Sequence, residues 1–326
     1  MAGSDRLFYL GLNDFHIWFQ FTHDCWVVLF AVDLLVAGGC RLLPLRGNKS
    51  ALAWGLCGGL IALMNLIVAL AWGILTLVSP LRSHTLPACA PANLHGALPV
   101  RRPLVASARR TWSRPATAML VAALIVAPWI VRHYLIFGRL IPVKSNLAYE
   151  LYQSQCLVPD GVLQNSAFST HPYAHAGRER QEYRDKGEMA YLDRKQELFR
   201  QSVSADPLDF ADRVAARFLG ATLWYTPFNR SEGAGRPWAL GWARLTHPLP
   251  FLALLFLAFS GAWRRLHVYQ WTVMGVYLLY LLPYIGVSYY ERYAVPLVGV
   301  KVLLVVWAVD RLLSFSCKVF GSARYL

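Results

Sequence analysis

A chain of 326 residues that is 56% hydrophobic and 13% aromatic but only 15% charged, with a mean hydropathy of +0.37, lacks the charged surface of a water-soluble domain; such domains carry about 25% charged residues. Disorder, collagen and coiled coil fail on the same figures. The formal charge of +14, from 32 Lys and Arg against 18 Asp and Glu, points in a polytopic chain to basic cytoplasmic loops rather than to nucleic acid.

The first residues, Met1 to Asp14, lack the basic, apolar and small-residue sequence of a cleavable signal. Apolar runs follow at Cys25 to Cys40, Ala51 to Ser79, Ala116 to Phe137, Leu249 to Trp263, Trp271 to Val287 and Ala294 to Phe315. A spanning helix needs roughly 20 residues. The first run is short unless it begins near Trp18, and the second is too long for one simple span. Asn65 at its middle, after Gly55, Gly58 and Gly59, predicts two short helices turning inside the membrane as a re-entrant pair, an arrangement tolerated only where protein buries the turn.

Charge sets the orientation. Arg41 to Lys49 carries three basic residues, Leu81 to Arg114 carries six, and neither contains an acid; Arg264 and Arg265 make a third basic loop. All three read as cytoplasmic. The long run between the first two must then enter and leave by one side, as a re-entrant pair does. The third span exits the cytoplasm, which places Gly138 to about Arg244 outside. That segment has 14 Lys plus Arg and 12 Asp plus Glu, nearly balanced, so about +12 belongs to the rest of the chain. Residues 1 to about 22 also fall outside, which predicts that the chain is the later part of a longer protein whose earlier spans are missing or encoded separately.

Within the outer segment, Tyr191, Leu192, Leu198, Phe199 and Val203 share one face of a helix over Gly187 to Val203. Asp206 followed by Pro207 marks a second helix start, a cap with proline at the first helical position. Phe210, Val214 and Phe218 give that helix its apolar stripe. Pro227 to Pro237 reads as a loop, and Trp224, Tyr225, Trp238 and Trp242 read as an interfacial belt. The fold expected is an all-α membrane protein, a multi-span helical bundle with a re-entrant pair and a mainly helical extracytoplasmic domain. Its parts are an N-terminal membrane part over 1–137, the outer domain over 138–245 and a three-span C-terminal part over 246–326.

Ionisable groups near the outer face are the candidates for chemistry, because charge there is costly to keep. Asp24 opens the first span, Arg132 and His133 close the third with Arg139 and Lys144 just beyond, and Glu291 and Arg292 lie in the turn before the last span. The structural readings are interface anchors for Arg132 and Arg139 and a solvated helix cap for Asp24. Asp33 and Lys301 lie deeper and read as packed polar contacts, and the Gly55 to Gly59 spacing reads as helix packing. His171 and His175 are four apart, but Pro172 and Ala176-Gly177 argue for loop and no third ligand is near. The six cysteines form no CxxC pair, and no phosphate-cradling loop, GxSxG or zinc motif occurs. No metal site and no definite cofactor is expected, and a divalent-ion requirement is left open.

The run PWIVRHYLIFGRLIPVKSN, Pro128 to Asn146, resembles the segment by which bacterial members of glycosyltransferase superfamily C leave their membrane domain. This group includes family 39-like protein mannosyltransferases and the aminoarabinose and lipopolysaccharide-core sugar transferases. THDCWVVLFAVDLLVA, Thr22 to Ala37, resembles their span with an acid at its outer end, and GLCGGLIALMN, Gly55 to Asn65, resembles the glycine-rich re-entrant piece. ERYAVPL, Glu291 to Leu297, resembles the Arg-Tyr-x-x-Pro turn before a late span, and Gly187 to Phe218 resembles the helical part of the outer region.

What the resemblance implies is transfer of a sugar from a polyprenyl-phosphate donor to a lipid, glycan or protein acceptor outside a bacterial inner membrane. Asp24 would be the acidic group at the outer end of its span, Arg292 a donor-phosphate contact, and Arg132 and Arg139 secondary phosphate or structural contacts. The principal acid of that family lies in a first outer loop for which this sequence has no counterpart. The alternative is a non-catalytic membrane scaffold or transport-associated protein that retains the fold.

Overall fold

The computed structural model describes residues 25–43, 45, 47–83, 104–141, 146–172, 178–260 and 266–322. Among the described residues the chain is helical, with a single isolated parallel bridge between Val162 and Tyr289 and no strand. Five helices are long and apolar enough to cross a membrane: Cys25–Leu42, Trp112–Phe137, Pro237–Phe259, Val268–Gly286 and Glu291–Ser314. These fall on five of the six apolar runs, and the chain is an all-helical integral membrane protein. Asp24, the residues before it, most of the basic loop after Ser83 and the pair Arg264 and Arg265 lie outside the described residues.

The chain divides into two compact units. One comprises Ala31–Val143 and Val268–Val276, and the other Met1–Phe30, Lys144–His267 and Tyr277–Leu326.

The first unit contains most of α1 (Cys25–Leu42), α2 (Asn48–Met64), α3 (Leu66–Ser83), α4 (Leu104–Phe137) and the start of α12 (Val268–Gly286). The long second run does break at Asn65. Its backbone is extended (φ −155°, ψ 120°), its own N–H still reaches the Ile61 carbonyl, and its side-chain oxygen accepts from the N–H groups of Ile67 and Val68 at 2.9 and 3.1 Å. One residue therefore closes α2 and caps α3. The two helices fold back on each other, because Trp54 and Thr76 lie equally far from Asn65 and meet through Trp54 Nε1 donating to Thr76 Oγ1 at 2.7 Å.

Glycines make this packing possible. A Cβ on Gly58 would lie 2.2 Å from the Trp72 ring, and one on Gly55 would lie 2.6 Å from the Ala118 carbonyl oxygen of α4. A backbone oxygen cannot yield, so Gly55 sets the closest approach of α2 and α4. The glycine spacing is thus a packing device, as its pattern predicts. Arg114 extends from α4 to donate to the Leu45 carbonyl at 2.8 Å.

The second unit contains α5 (Leu147–Tyr152) with a π-turn at Gln153–Leu157, α6 (Asn165–Ser169), α7 (Arg178–Ala205), α8 (Pro207–Thr222), α9 (Arg230–Gly235), α10 (Pro237–Thr246), α11 (Leu249–Phe259), the end of α12, a 3-10 turn at Glu291–Leu297 and α13 (Val298–Ser322). Asp206 caps α8 as its sequence predicts, accepting from Leu208 and Asp209 N–H at 3.1 and 3.0 Å with Pro207 following. Inside α7, Gly187 adopts φ 73° and ψ 164°, a conformation open to glycine, and the chain reverses there. The reversal brings Lys195 back to Glu179 and Glu182 at 2.7 and 2.8 Å. Pro227 to Pro237 is less irregular than its composition predicts, because α9 forms a short helix within it.

Candidate functional site

The segment that joins α12 to α13 is held from several directions within the second unit. Arg217 of α8, fully buried, donates through Nε to the Ile285 carbonyl at 2.7 Å and through Nη2 to the Gly286 carbonyl at 3.3 Å. A cation thus meets the carbonyls that α12 leaves unpaired at its C-terminus, where the helix dipole favours positive charge. Ser154 of the π-turn donates to the Val287 carbonyl at 2.6 Å, and Ser288 donates to Glu150 of α5 at 2.8 Å. Leu163 N–H donates to the Tyr289 carbonyl at 2.9 Å. Glu291 then accepts from Phe228 N–H at 3.2 Å and from the Tyr225 hydroxyl. Burial and the Glu291 carboxylate both push the Tyr225 hydroxyl upward from its ordinary value, so it remains a donor at neutral pH.

Arg292 follows directly. Its Nε donates to Cys25 Sγ at 3.3 Å, and its guanidinium hydrogen-bonds the Tyr290 hydroxyl. Burial raises that hydroxyl to about 12 despite the cation beside it. The surroundings are aromatic: Tyr293 stacks on Tyr284 with centroids 4.1 Å apart, Tyr290 meets Tyr293 edge-on at 4.5 Å, and Tyr280 lies 5.2 Å from Tyr284. A planar fork of donors in such a setting suits a phosphate or carboxylate oxygen pair.

The four predicted site residues are distributed as follows. Arg292 is the centre just described. Arg132 is exposed in the other unit, with its guanidinium 5.4 Å from the Trp129 ring centroid, and Arg139 is exposed beyond the end of α4. Asp24 lies outside the described residues. His133, next to Arg132, is buried, with Nδ1 3.1 Å from the Ile141 carbonyl oxygen and its ring between Trp129 and Phe137. Asp33 is exposed on α1 and Lys301 is partly buried on α13. His171 packs edge-on against Tyr149 at 5.0 Å, and burial lowers its basicity. His175 lies outside the described residues, among which no group of three His, Cys, Asp or Glu could hold a metal ion.

Two residues that organise this unit escape the sequence patterns. Arg217 occupies the buried face of α8, whereas Phe218 of the expected stripe is 37% exposed and meets Phe251 of α11 instead. Burial, then the neighbouring Arg213, lowers Arg217 to about 10, which still leaves it charged at neutral pH. Lys195, only 2% exposed, sits on the face of α7 marked by Tyr191 and lies 4.7 and 4.8 Å from the Tyr152 and Tyr191 ring centroids. The repeated basic residue in Arg213 to Arg217, one helical turn apart on a helix that already has an apolar face, is the available sequence signal for the first. For the second, the signal is a lysine inside an apolar helical face.

The helices and this junction define a polytopic, all-helical integral membrane protein. Comparison with protein-family models, curated proteins and solved structures finds no match in any of the three.

Proposed function

We propose that the chain works as a membrane glycosyltransferase, moving a sugar from a polyprenyl-phosphate donor to an acceptor hydroxyl on the outer face of a bacterial inner membrane. The observation that carries this reading is Arg292, a guanidinium held at the end of a pinned junction beside Cys25, the residue that follows Asp24 in the chain. In the resemblance these are the phosphate contact and the acid. The α2 and α3 hairpin is read as the re-entrant pair and residues 138–245 as the extracytoplasmic domain, with the exposed rings of Trp224, Trp238 and Trp242 as its interfacial belt.

The acceptor oxygen forms a bond to the anomeric carbon while the bond from that carbon to the phosphate oxygen breaks. The departing lipid phosphate keeps the electron pair and is stabilised by Arg292, and the acceptor proton passes to Asp24. The test is transfer from polyprenyl-phosphate sugars by the purified chain with native lipids. Activity is expected to fall at least a hundredfold in Arg292→Ala and in Asp24→Asn. Transfer that survives both substitutions overturns the site, and absence of transfer by the full-length product overturns the enzyme in favour of a scaffold.

A further inference from the structure

Close to Arg292, within the same unit, lies an open cleft of about 560 Å³, inside the ~300–1,000 Å³ range of small-ligand sites. Its lining is unlike the aromatic surroundings of the guanidinium. Gln164, Asn165 and Asn229 bring carboxamides, Ser166 and Ser231 bring hydroxyls, and Phe228 brings one ring. The one charged lining residue, Arg230, is ion-paired with Asp160 at 2.5 Å, so the cleft carries no uncompensated charge from its lining.

Carboxamides and hydroxyls each both donate and accept, which matches the vicinal hydroxyls of a neutral sugar. The half-buried Phe228 ring on its wall suits the C–H face of a pyranose. An anionic glycan would meet no unpaired cation here, and a lipid chain would desolvate the amides without replacing their hydrogen bonds.

The cleft is connected to the proposed phosphate site by direct contacts. The Phe228 ring lies 5.1 Å from that of Tyr290, whose hydroxyl bonds Arg292. The Phe228 N–H is held by Glu291, the residue before Arg292. One aromatic ring therefore separates the two sites.

We infer that this cleft binds a neutral carbohydrate and that, on the glycosyltransferase reading, it seats the acceptor, making the acceptor a glycan rather than a bare lipid or polypeptide. The sugar specificity of the cleft stands on its lining alone; only its role as the acceptor site rests on the glycosyltransferase reading.

The experiment uses the full chain in lipid nanodiscs and saturation-transfer NMR with a panel of neutral trisaccharides built from glucose, galactose, mannose and N-acetylhexosamines. A hexuronate trisaccharide and a Ser/Thr-rich peptide form the other arms. At least one neutral trisaccharide is expected to bind, with at least tenfold weaker affinity in the Gln164→Leu, Asn229→Leu double variant and in Ser231→Trp, each checked for an unchanged melting temperature. Binding that ignores all these changes, binding of only the uronate or the peptide, or no binding across the neutral panel each overturns the cleft. Trisaccharide binding with no transfer from any polyprenyl-phosphate sugar upholds the cleft and removes the enzyme. Transfer to another acceptor with no trisaccharide binding does the reverse.

Discussion

The α2, α3 and α4 helices and the α12 to α13 junction are both sharp features of a membrane protein, yet they are held by opposite means. The hairpin coheres through closeness: glycines that let a ring and a backbone oxygen approach, and one asparagine that turns the chain. The junction coheres through reach: Arg217, Ser154, Glu150 and the Leu163 amide arrive from distant parts of the chain to hold it. In an apolar solvent the first strategy needs few polar groups and is strong because packing is the main force between helices there. The second fixes orientation, because a hydrogen bond is directional where a packing contact is not.

The sharpest way to break this contrast is Arg217→Met. It orphans the Ile285 and Gly286 carbonyls at about 1–3 kcal/mol each. Hydrogen exchange is expected to speed up over 285–292 while α2 and α3 remain protected, and equal loosening of both regions would dissolve the distinction. Gly55→Val is the converse. Its Cβ meets the Ala118 carbonyl, and overpacking of this kind costs about 1–3 kcal/mol, read as a lower melting temperature with the junction's exchange unchanged. Asn65→Ala removes both cap hydrogen bonds of α3 and is expected to cost about 1 kcal/mol, with exchange rising first at Ile67 and Val68.

A last test is one of pH and concerns the α7 reversal. Burial pushes the Glu182 carboxyl up, but hydrogen bonds from Lys186 and Lys195 outweigh it and bring the group down to about 2. A carboxyl depressed in the folded state stabilises fully above its unfolded value of about 4.3 and loses that contribution as pH falls towards 2. Melting temperature is therefore expected to drop over that acid range, and Glu182→Gln to flatten the drop. An unchanged slope would show that the Lys195 cluster does not couple to folding.

Much of the hairpin could be read from the sequence, because hydropathy, a central Asn65 and a glycine cluster are local signals. The Asp206 cap was equally legible, being written in two adjacent residues. The junction was visible only as ERYAVPL, without what holds it. Arg217 bonds carbonyls 68 and 69 residues away, and Glu150 meets Ser288 across 138. Pairings of that separation leave no periodic trace. An arginine on a helix is ordinarily placed on the wet face, so Phe210, Val214 and Phe218 suggested the buried stripe; Phe210 and Val214 are half-buried, whereas Phe218 is exposed and the fully buried positions are Arg217, Gly220, Ala221 and Thr222. Lys195 was hidden for the same reason, since its carboxylates come from the other side of the Gly187 reversal.

The acceptors at the junction are the main-chain oxygens of Ile285, Gly286, Val287 and Tyr289, whereas the donors from α8 and the π-turn are particular side chains. Every amino acid supplies a carbonyl, so the identity of the held positions contributes little to these bonds and that of Arg217 and Ser154 contributes a great deal. The segment nearest the proposed chemistry is therefore free to vary in side chain at 286 and 287 while its supports, remote in sequence, are not. A saturation scan of the protein would find the intolerant positions that hold the 285–287 carbonyls some 70 to 130 residues upstream of them.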